Sequence, residues 1–351
     1  MTETYTVLLQ PVGIEMEVME GETVLDAAFR QGVSLPHGCK EGQCSACKCI
    51  LSEGEVELKK YSTFALSEME RETDHILLCC TLPETDLEVE LLNYDEELLS
   101  RSIPVSDYKA SVARVEHLTH DIRLLEVDID SQLKFYAGQY ADITLPGANI
   151  TRSFSMASTP ASADRLQFII KKYPDGAFSS RLDGSLTPGT ALKLRGPYGI
   201  CLRRENRDGP MILVGGGSGM SPLLSILDDQ IVNGPTRPIY FFYGARTAQD
   251  LFYLDRFAEL AAQHPEFKFI PALSDAEGDT SWTGEKGWVH EVTKQYLCEL
   301  DLDDDADAYV CGPGAMIDAV FPVLVVAGLD TDHIHCDRFT PAPQTEELLT
   351  S

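Results

Sequence analysis

The sequence has few basic side chains and lacks any long apolar run. Its 28 lysines and arginines are outnumbered by 56 aspartates and glutamates, so the formal net charge is −28. Phosphates repel a chain of this charge, which argues against nucleic acid and anionic membrane surfaces as partners. The longest apolar stretch, residues 323–327, follows Pro322 and is much shorter than the roughly 18 residues that span a bilayer. We therefore expect neither nucleic-acid nor membrane binding.

The N-terminus also lacks the features of a secretory leader. Residues 1–5 contain neither a basic region nor an apolar one. We therefore expect a cytoplasmic protein, in which the 10 cysteines are not a disulfide framework. A chain of 351 residues with 44% apolar content has enough material for two or three domains.

Four cysteines form the most specific motif of the chain. Cys39, Cys44 and Cys47 have the spacing C-x4-C-x2-C, which is typical of plant-type [2Fe–2S] ferredoxins. Small residues between these cysteines allow backbone N–H groups to point at the sulfur atoms. The spacing alone does not decide whether Cys79 or Cys80 is the fourth ligand. A zinc site is disfavoured because adjacent cysteines rarely converge on one metal.

The first hundred residues have the pattern of a small β-rich domain. Alternation at 5–9 and 14–18 predicts a hairpin, and 23–30 predicts a helix that ends at Gly32. Short strands at 48–51, 56–58 and 87–91 and a helix at 66–71 complete a predicted β-grasp ferredoxin domain over 1–95. The polar stretch 96–107 is the predicted linker. Residues 1–100 carry 21 acidic and 6 basic side chains, which form either a solvated face or a docking face.

The middle of the chain predicts an antiparallel β-barrel over 108–206. Its short strands are predicted at 110–115, 122–127, 140–145, 166–170 and 191–194. Two segments there carry chemistry, 151–155 and 176–182, the second of which opens a predicted short helix. An arginine such as Arg152 can clamp a diphosphate, an aromatic ring can cover a flavin, and a serine can hydrogen-bond its nitrogens. The helix N-terminus can hold the remaining phosphate charge.

The last third predicts a doubly wound parallel sheet over 207–340, followed by a flexible tail at 341–351. An apolar strand at 211–214 enters the glycine turn 215–219 and then a helix at 223–231, as in phosphate-binding turns. The turn does not match G-x-G-x-x-G, which disfavours an ordinary Rossmann dehydrogenase. Further strands at 239–243, 267–272 and 308–310 alternate with helices at 250–263, 289–296 and 315–327. Ligands are expected at the strand ends 215–219, 244–246 and 311–313.

These motifs, in this order, resemble the three-part reductases of bacterial multicomponent oxygenases. The resemblance covers about residues 5–340, and the ending His335–Thr340 is most similar to reductases of soluble di-iron monooxygenases of the methane, propane and phenol hydroxylase type. It implies an α+β multidomain protein with a plant-type ferredoxin, a flavin barrel and an α/β nicotinamide domain. It also implies FAD, NADH and a [2Fe–2S] cluster. The segment from Cys79 to Pro83 resembles the end of the ferredoxin domain in this family, and this resemblance favours Cys79 as the fourth ligand. The implied metal ligands are therefore Cys39, Cys44, Cys47 and Cys79.

The resemblance also implies roles for individual residues. Arg152 would bind the FAD diphosphate, Phe154 would pack on the flavin, Ser155 would hydrogen-bond near flavin N5, and Cys311 would lie by the nicotinamide. The implied catalytic residues are Ser155, Cys311 and Phe339. The implied cofactor-binding residues are Arg152, Ser153, Phe154, Ser155, Gly176, Ala177, Phe178, Ser179, Gly215, Gly216, Gly217, Ser218, Gly219, Arg246, Cys311, Gly312 and Pro313.

Two of these positions leave a question open. The family usually has tyrosine at the position of Phe154, so a hydroxyl hydrogen bond to the flavin is missing here. Arg246 lies at the position where a reductase of this family would bind the 2′-phosphate of NADPH. NADH is preferred because no further basic residue stands beside Arg246.

The implied function is a relay from NADH through FAD and the cluster to the hydroxylase of a soluble di-iron monooxygenase. No repeated Glu-x-x-His pair is present, so the di-iron site is expected on the partner protein. The same relay feeding a Rieske dioxygenase or a sugar-deoxygenating dehydratase is an alternative. A zinc-stabilised acidic binding module is an alternative of another class. We expect a monomer.

Overall fold

The computed structural model describes residues 3–162, 164–205, 207–276, 281–300, 302 and 305–339. The chain divides into two compact units. The first contains the residues up to Ser106 together with the short segment Pro197–Ile200, and the second contains the rest. The predicted tail 341–351 and Thr340 lie outside the described residues. No helix of the described part is both long and apolar enough to cross a membrane.

The first unit is a β-grasp fold, as predicted. Its sheet has the order β2-β1-β7-β3-β5, with β1 and β7 parallel and the other neighbours antiparallel, and β4 pairs with β6 in a separate ribbon. The strands are β1 (Thr4–Gln10), β2 (Ile14–Met19), β3 (Lys48–Glu53), β4 (Val56–Leu58), β5 (His75–Leu77), β6 (Thr81–Pro83) and β7 (Leu87–Leu91). The helices are α1 (Val24–Gln31), α2 (Glu68–Arg71) and α3 (Glu96–Ser100).

Helix α1 comes directly before the cysteine loop, the loop that carries Cys39, Cys44 and Cys47, and it fixes the position where that loop begins. The Thr23 hydroxyl accepts a hydrogen bond from the Asp26 N–H, which caps the first turn, and the helix ends at Gly32. Leu25 and Phe29 are buried in the core of the unit. The loop that follows runs to β3, so its two ends are fixed by a packed helix and a central strand.

The predicted linker 96–107 is not simply a polar connection. It contains α3, whose first turn is capped by Asp95 through a hydrogen bond of 3.1 Å from the Leu98 N–H. The segment then returns to α1, where the Val105 N–H donates to the Phe29 carbonyl at 2.9 Å. Sequence reasoning missed this helix because five residues are too few to show a 3.6-residue period.

The second unit begins with the predicted antiparallel barrel. Its strands are β8 (Ser106–His117), β9 (Ile122–Ile129), β10 (Tyr140–Leu145), β11 (Ile150–Ser155), β12 (Arg165–Lys171) and β13 (Ala191–Tyr198), in the order β11-β10-β13-β8-β9-β12. A bridge between Met156 and Phe168 joins the two edge strands β11 and β12. The barrel therefore leaves no long open edge, and its alternating apolar side chains fill the interior.

The remainder of this unit is the predicted parallel sheet. Its strands are β14 (Met211–Gly216), β15 (Ile239–Ala245), β16 (Phe267–Leu273), β17 (Glu285–Lys286), β18 (Asp307–Pro313) and β19 (Ile334–Phe339), in the order β17-β16-β15-β14-β18-β19. The helices are α4 (Met220–Asn233), α5 (Leu254–Gln263), α6 (Val289–Leu297) and α7 (Gly314–Val326).

Several details of this sheet differ from the prediction. Strand β17 was not predicted, because two residues are too few to show an alternating pattern. The helix predicted to begin at 250 begins at Leu254, because a 3-10 turn capped by Thr247 occupies Ala248–Asp250. Strand β19 was not predicted, because polar His335, Asp337 and Arg338 interrupt its apolar pattern. It pairs in parallel with β18 and places Asp337 opposite Cys311.

Candidate cofactor sites

The cysteine loop points backbone N–H groups at sulfur atoms. Cys39 Sγ accepts hydrogen bonds from the N–H groups of Glu41 and Gln43 at 3.4 and 3.2 Å, and Cys44 Sγ accepts one from the Cys39 N–H at 3.3 Å. Such N–H groups offset the negative charge of thiolates and bound sulfides. The donor set and its backbone cradle fit a [2Fe–2S] cluster.

Gly42 allows this loop to fold tightly. Its φ is +68°, and a Cβ there would lie 2.7 Å from Cys80 Sγ and 2.9 Å from the Cβ of Tyr61. The Gly42 N–H donates to Cys79, whose thiol also hydrogen-bonds with that of Cys47. Cys80 Sγ lies 3.7 Å from Cys79 Sγ and 3.7 Å from the Lys60 carbonyl oxygen, so it also has a partner outside the four predicted ligands. These contacts favour Cys79 over Cys80 as the fourth ligand, which stays a prediction.

Strand β11 presents the arginine and the aromatic ring predicted for FAD. Arg152 is partly exposed, and its guanidinium donates to the Thr151 carbonyl at 2.7 Å. Within the described residues it has no acidic partner, so its remaining donors can bind a diphosphate. The ring of Phe154 packs on that of Phe178 with centroids 4.9 Å apart, and the buried Phe178 thereby holds it in place. The residues present fit a flavin.

The other predicted flavin residues have partners within the barrel. The Ser153 hydroxyl donates to Asp142 Oδ1 on β10 at 2.5 Å, so the neighbouring strand holds it. Gly176 and Ala177 precede a 3-10 turn, Ser179–Asp183, rather than an α-helix. The Ser179 hydroxyl accepts from the Tyr173 N–H at 3.0 Å and closes this loop. A five-residue 3-10 turn provides a weaker dipole than the predicted helix.

The glycine turn after β14 contacts the end of β18 backbone to backbone. A Cβ on Gly219 would lie 2.0 Å from the carbonyl oxygen of Cys311 and 3.0 Å from Gly312 Cα. Gly217 and Ser218 complete the turn, and the Tyr243 hydroxyl donates to the Gly217 carbonyl at 2.8 Å. The predicted segments 215–219 and 311–313 therefore form one site at the carboxyl ends of adjacent strands.

Ser155 connects the barrel to this site. Its hydroxyl donates to Asp337 Oδ2 at 2.9 Å, and its carbonyl accepts from the Ser221 hydroxyl at 2.6 Å. Since Asp337 lies opposite Cys311 in the sheet, it links Ser155 to the strand that carries Cys311. The third predicted catalytic residue, Phe339, lies two residues further and pairs with Pro313.

Burial changes the protonation of two groups in this site. It raises the pKa of Asp337 to about 6, opposed by the hydrogen bond from Ser155. It also raises the pKa of the fully buried Cys311 thiol well above its ordinary value, with the neighbouring Cys201 thiol adding to the shift. Cys311 is therefore a neutral thiol near pH 7, and Asp337 titrates close to that pH.

Sequence reasoning missed Asp337 and Cys201. Asp337 lies inside the ending that carries the family resemblance, yet no spacing rule connects it to Ser155, which is 182 residues away. Cys201 Sγ lies 3.9 Å from Cys311 Sγ, a contact that only the fold creates. Arg246, at the end of β15, is exposed and accepts a backbone hydrogen bond of 2.8 Å from the Asp275 N–H.

Three domain families match the chain in the same order as these sites. Residues 7–84 match the 2Fe-2S iron-sulfur cluster binding domain, 109–201 the oxidoreductase FAD-binding domain, and 213–321 the oxidoreductase NAD-binding domain. They confirm the predicted cofactors and contradict the zinc-stabilised binding module.

Full-length relatives decide the family. The chain is 43% identical to the reductase component of propane 2-monooxygenase from Gordonia, and the match covers 97% of this chain and 98% of the relative. It is 38% identical to the reductase component of phenol 2-monooxygenase from Pseudomonas, over 97% and 95% of the two chains. The chain belongs to the reductase components of bacterial oxygenases. This oxygenase reductase is accordingly an NAD-, FAD- and [2Fe–2S]-dependent oxidoreductase, as predicted.

Solved structures agree with the fold of the oxygenase reductase. The Amycolatopsis cytochrome P450 reductase is 30% identical, with a TM-score of 0.86 over 97% of this chain and 100% of that one. The ferredoxin reductase in carbazole 1,9a-dioxygenase is 27% identical, with a TM-score of 0.77 over 97% and 99%.

Proposed function

We propose that this oxygenase reductase passes electrons from NADH to the hydroxylase of a soluble di-iron monooxygenase. The observation that carries the reductase chemistry is the convergence of Ser155, Asp337 and Cys311 at the strand end beside the glycine turn. When bound, FAD accepts the hydride of NADH and the cluster carries single electrons onward.

Residues of the second unit bind and orient the flavin and the nicotinamide. Arg152 binds the diphosphate, and Phe154, held by Phe178, covers the flavin ring. The turn 215–219 brings backbone N–H groups to the dinucleotide phosphates. The neutral thiol of Cys311 places no charge at this strand end, whereas a thiolate there would interact strongly with the positive nicotinamide ring of NAD⁺.

Asp337 orients the hydroxyl of Ser155. Because the Asp337 carboxylate accepts a hydrogen bond from the Ser155 hydroxyl, the oxygen lone pairs of Ser155 are directed away from Asp337 and can accept a hydrogen bond from a bound flavin. The proton at Ser155 Oγ thus has a fixed acceptor while the flavin is reduced. Asp337 acts through Ser155 as a positioning residue.

NADH is the proposed coenzyme. Arg246 and Asp275 lie at the ends of the neighbouring strands β15 and β16, joined by their backbones. The Asp275 carboxylate can accept a hydrogen bond from a ribose 2′-hydroxyl, whereas it repels a 2′-phosphate. Asp275→Ser should therefore improve the use of NADPH relative to NADH by about ten-fold or more.

A di-iron hydroxylase is favoured over a Rieske acceptor by the order of the similarities. The two monooxygenase reductases are 43% and 38% identical to this chain, and the carbazole dioxygenase reductase is 27% identical. We also propose a cytoplasmic monomer without nucleic-acid or membrane partners, because the net charge of −28 opposes both self-association and anionic surfaces.

Reconstitution tests the function. The purified protein should show flavin and iron–sulfur absorption, both bleached by NADH, and should drive propane oxidation with the oxygenase components of the Gordonia enzyme. The oxygenase of carbazole dioxygenase is the comparison acceptor. Faster turnover with that acceptor would contradict the di-iron assignment, and a colourless protein would contradict the relay itself.

A further inference from the structure

Tyr243 carries a hydroxyl into the interior of the parallel sheet. It lies near the end of β15, opposite Gly215 of β14, and its side chain is fully buried. Its ring contacts those of Phe252 and Phe269, with centroids 5.8 and 6.4 Å apart. Phenylalanine would fill this apolar surrounding equally well, whereas a buried hydroxyl costs free energy unless it is hydrogen-bonded. The partner of the Tyr243 hydroxyl therefore indicates what the residue does.

That partner is a backbone carbonyl of the glycine turn. The Tyr243 hydroxyl donates to the Gly217 carbonyl oxygen at 2.8 Å, and the Met220 N–H donates to the same oxygen. A carbonyl oxygen has two lone pairs, so these two donors occupy both of them. One donor belongs to the turn itself and the other to the neighbouring strand. Tyr243 thus ties the turn to β15.

The conformation of Gly217 explains why its carbonyl needs to be held. Its φ is +56°, in the left-handed region that favours glycine, and a Cβ there would meet no atom of the described residues within 4 Å. The turn is therefore open on that side. The backbone N–H groups at the start of a helix such as α4 have no partners inside the helix and attract phosphate. A carbonyl oxygen that rotated among those N–H groups would repel the same phosphate.

The phenol of Tyr243 keeps its proton near neutral pH. Burial raises the pKa of Tyr243 above its ordinary value, and the carboxylates of Asp250 and Asp121 add to the shift. The oxygen therefore donates to the Gly217 carbonyl, whereas a phenolate would repel it. The hydrogen bond that holds the turn does not depend on pH in this range.

We propose that Tyr243 is a positioning residue for NADH. Its hydroxyl holds the Gly217 carbonyl away from the dinucleotide diphosphate, so that backbone N–H groups of the turn face the ligand. Because Tyr243 is fully buried, it acts through the turn and not by contact with the ligand. This inference rests on the proposed function, in which the turn 215–219 binds the dinucleotide phosphates. It adds a residue of the neighbouring strand that sets the affinity for the diphosphate but not the rate of hydride transfer.

The test compares Tyr243→Phe with Tyr309→Phe in the full-length holoprotein. Both tyrosines are fully buried, and they lie on the two strands that flank β14. The Tyr309 hydroxyl donates to Asp307 and accepts from the Arg204 N–H, both at 2.8 Å. Asp307 begins β18, at the opposite end of that strand from the turn, so Tyr309→Phe is the matched control for a structural effect. Phenylalanine keeps both rings, and FAD and cluster absorbance check the folding.

Tyr243→Phe should weaken the binding of NAD⁺ to the oxidised protein by about five-fold or more in calorimetric titration, because the Gly217 carbonyl loses a buried donor. ADP-ribose, which keeps the diphosphate but lacks nicotinamide, should lose affinity by the same factor. The KM for NADH should rise similarly, while flavin reduction at saturating NADH stays within about two-fold of the wild type. Without ligand, hydrogen exchange should quicken in peptides that cover 216–220. Tyr309→Phe should lower the unfolding temperature and leave both affinities unchanged.

Several results would overturn the inference. Unchanged affinities and exchange in Tyr243→Phe would show that the hydroxyl does not position the turn. Equal losses of affinity in Tyr243→Phe and Tyr309→Phe would show a general effect of destabilisation. Weaker NAD⁺ binding with unchanged ADP-ribose binding would place the effect at the nicotinamide. A wild type that binds neither compound and is not bleached by NADH would instead contradict the proposed function, and the inference with it.

Discussion

The hydroxyl of Ser155 donates a hydrogen bond of 2.9 Å to the carboxylate of Asp337, which joins the end of β11 to the last strand of the parallel sheet. Ser155 is buried in the barrel, and Asp337 is paired with Cys311 in β19 and β18. The end of the barrel strand β11 and the last strand of the parallel sheet are thereby connected through two side chains. This connection leads to the first two predictions.

Replacing Asp337 should slow hydride transfer without removing the cofactors. Asp337→Asn keeps the shape but loses the charge that orients Ser155, and hydrogen bonds to charged groups contribute about 1.5–3 kcal/mol. Stopped-flow reduction of the flavin by NADH should slow by about ten-fold or more. Asp318→Asn is the matched control, because Asp318 is exposed and pairs with the adjacent Arg338. Equal rates of flavin reduction in the two variants would show that Asp337 does not contribute to this step.

The raised pKa of Asp337 predicts a pH dependence of stability with a definite sign. Because the folded-state pKa is about 6 and the ordinary value is 3.8, the folded chain binds this proton more tightly. The stabilisation is complete below the ordinary pKa and is lost as the pH rises through about 6. Asparagine does not titrate, so the unfolding temperature of Asp337→Asn minus that of the wild type should increase from about pH 5 to pH 7.5. A constant difference would contradict the shift.

Arg152 should determine how tightly FAD binds. Its guanidinium has no acidic partner among the described residues, so Arg152→Ala removes donors that are free for a diphosphate. FAD affinity should fall by at least about ten-fold, and Arg152→Lys should recover only part of it, because a point charge lacks the planar fork. FAD retained after gel filtration measures this effect, with cluster absorbance as the folding control. Arg165→Ala is the matched control, since Arg165 pairs with Asp128 on the barrel surface at 2.7 Å.

Gly219 should tolerate no side chain. Gly219→Ala places a methyl group 2.0 Å from the Cys311 carbonyl oxygen, so the glycine turn or the end of β18 must move. We expect NADH to bind at least about ten-fold more weakly and the protein to lose about 1–3 kcal/mol of stability. Titration with NADH and thermal unfolding measure the two effects. Gly147→Ala is the control, because a Cβ at Gly147 meets no atom within 4 Å.

The two adjacent cysteines should differ in cluster assembly. Cys79→Ser should abolish the iron–sulfur absorption, since Cys79 contacts Cys47 and the Gly42 N–H, while Cys80→Ser should retain it. FAD content and NADH–ferricyanide activity should persist in both variants, because they depend on the second unit. If only Cys80→Ser lost the cluster, Cys80 and not Cys79 would be the fourth ligand.

The sequence by itself determined the order of the domains and most of the chemistry. Ligand spacing at Cys39, Cys44 and Cys47, the glycine turn at 215–219 and the period of each strand are local properties, and local properties can be read from neighbouring residues. The β-grasp, barrel and parallel sheet were predicted on this basis.

Only the tertiary structure decided which distant residues meet. Strand β19 has a polar pattern that predicts no strand, and its pairing with β18 is what brings Asp337 to Ser155 and Cys311. The Cys201 contact and the exposure of Phe64 are likewise products of packing, because a sequence pattern does not record which side chain is left uncovered. Long-range pairing depends on the whole fold, and the contact between Asp337 and Ser155 was therefore not visible in the sequence.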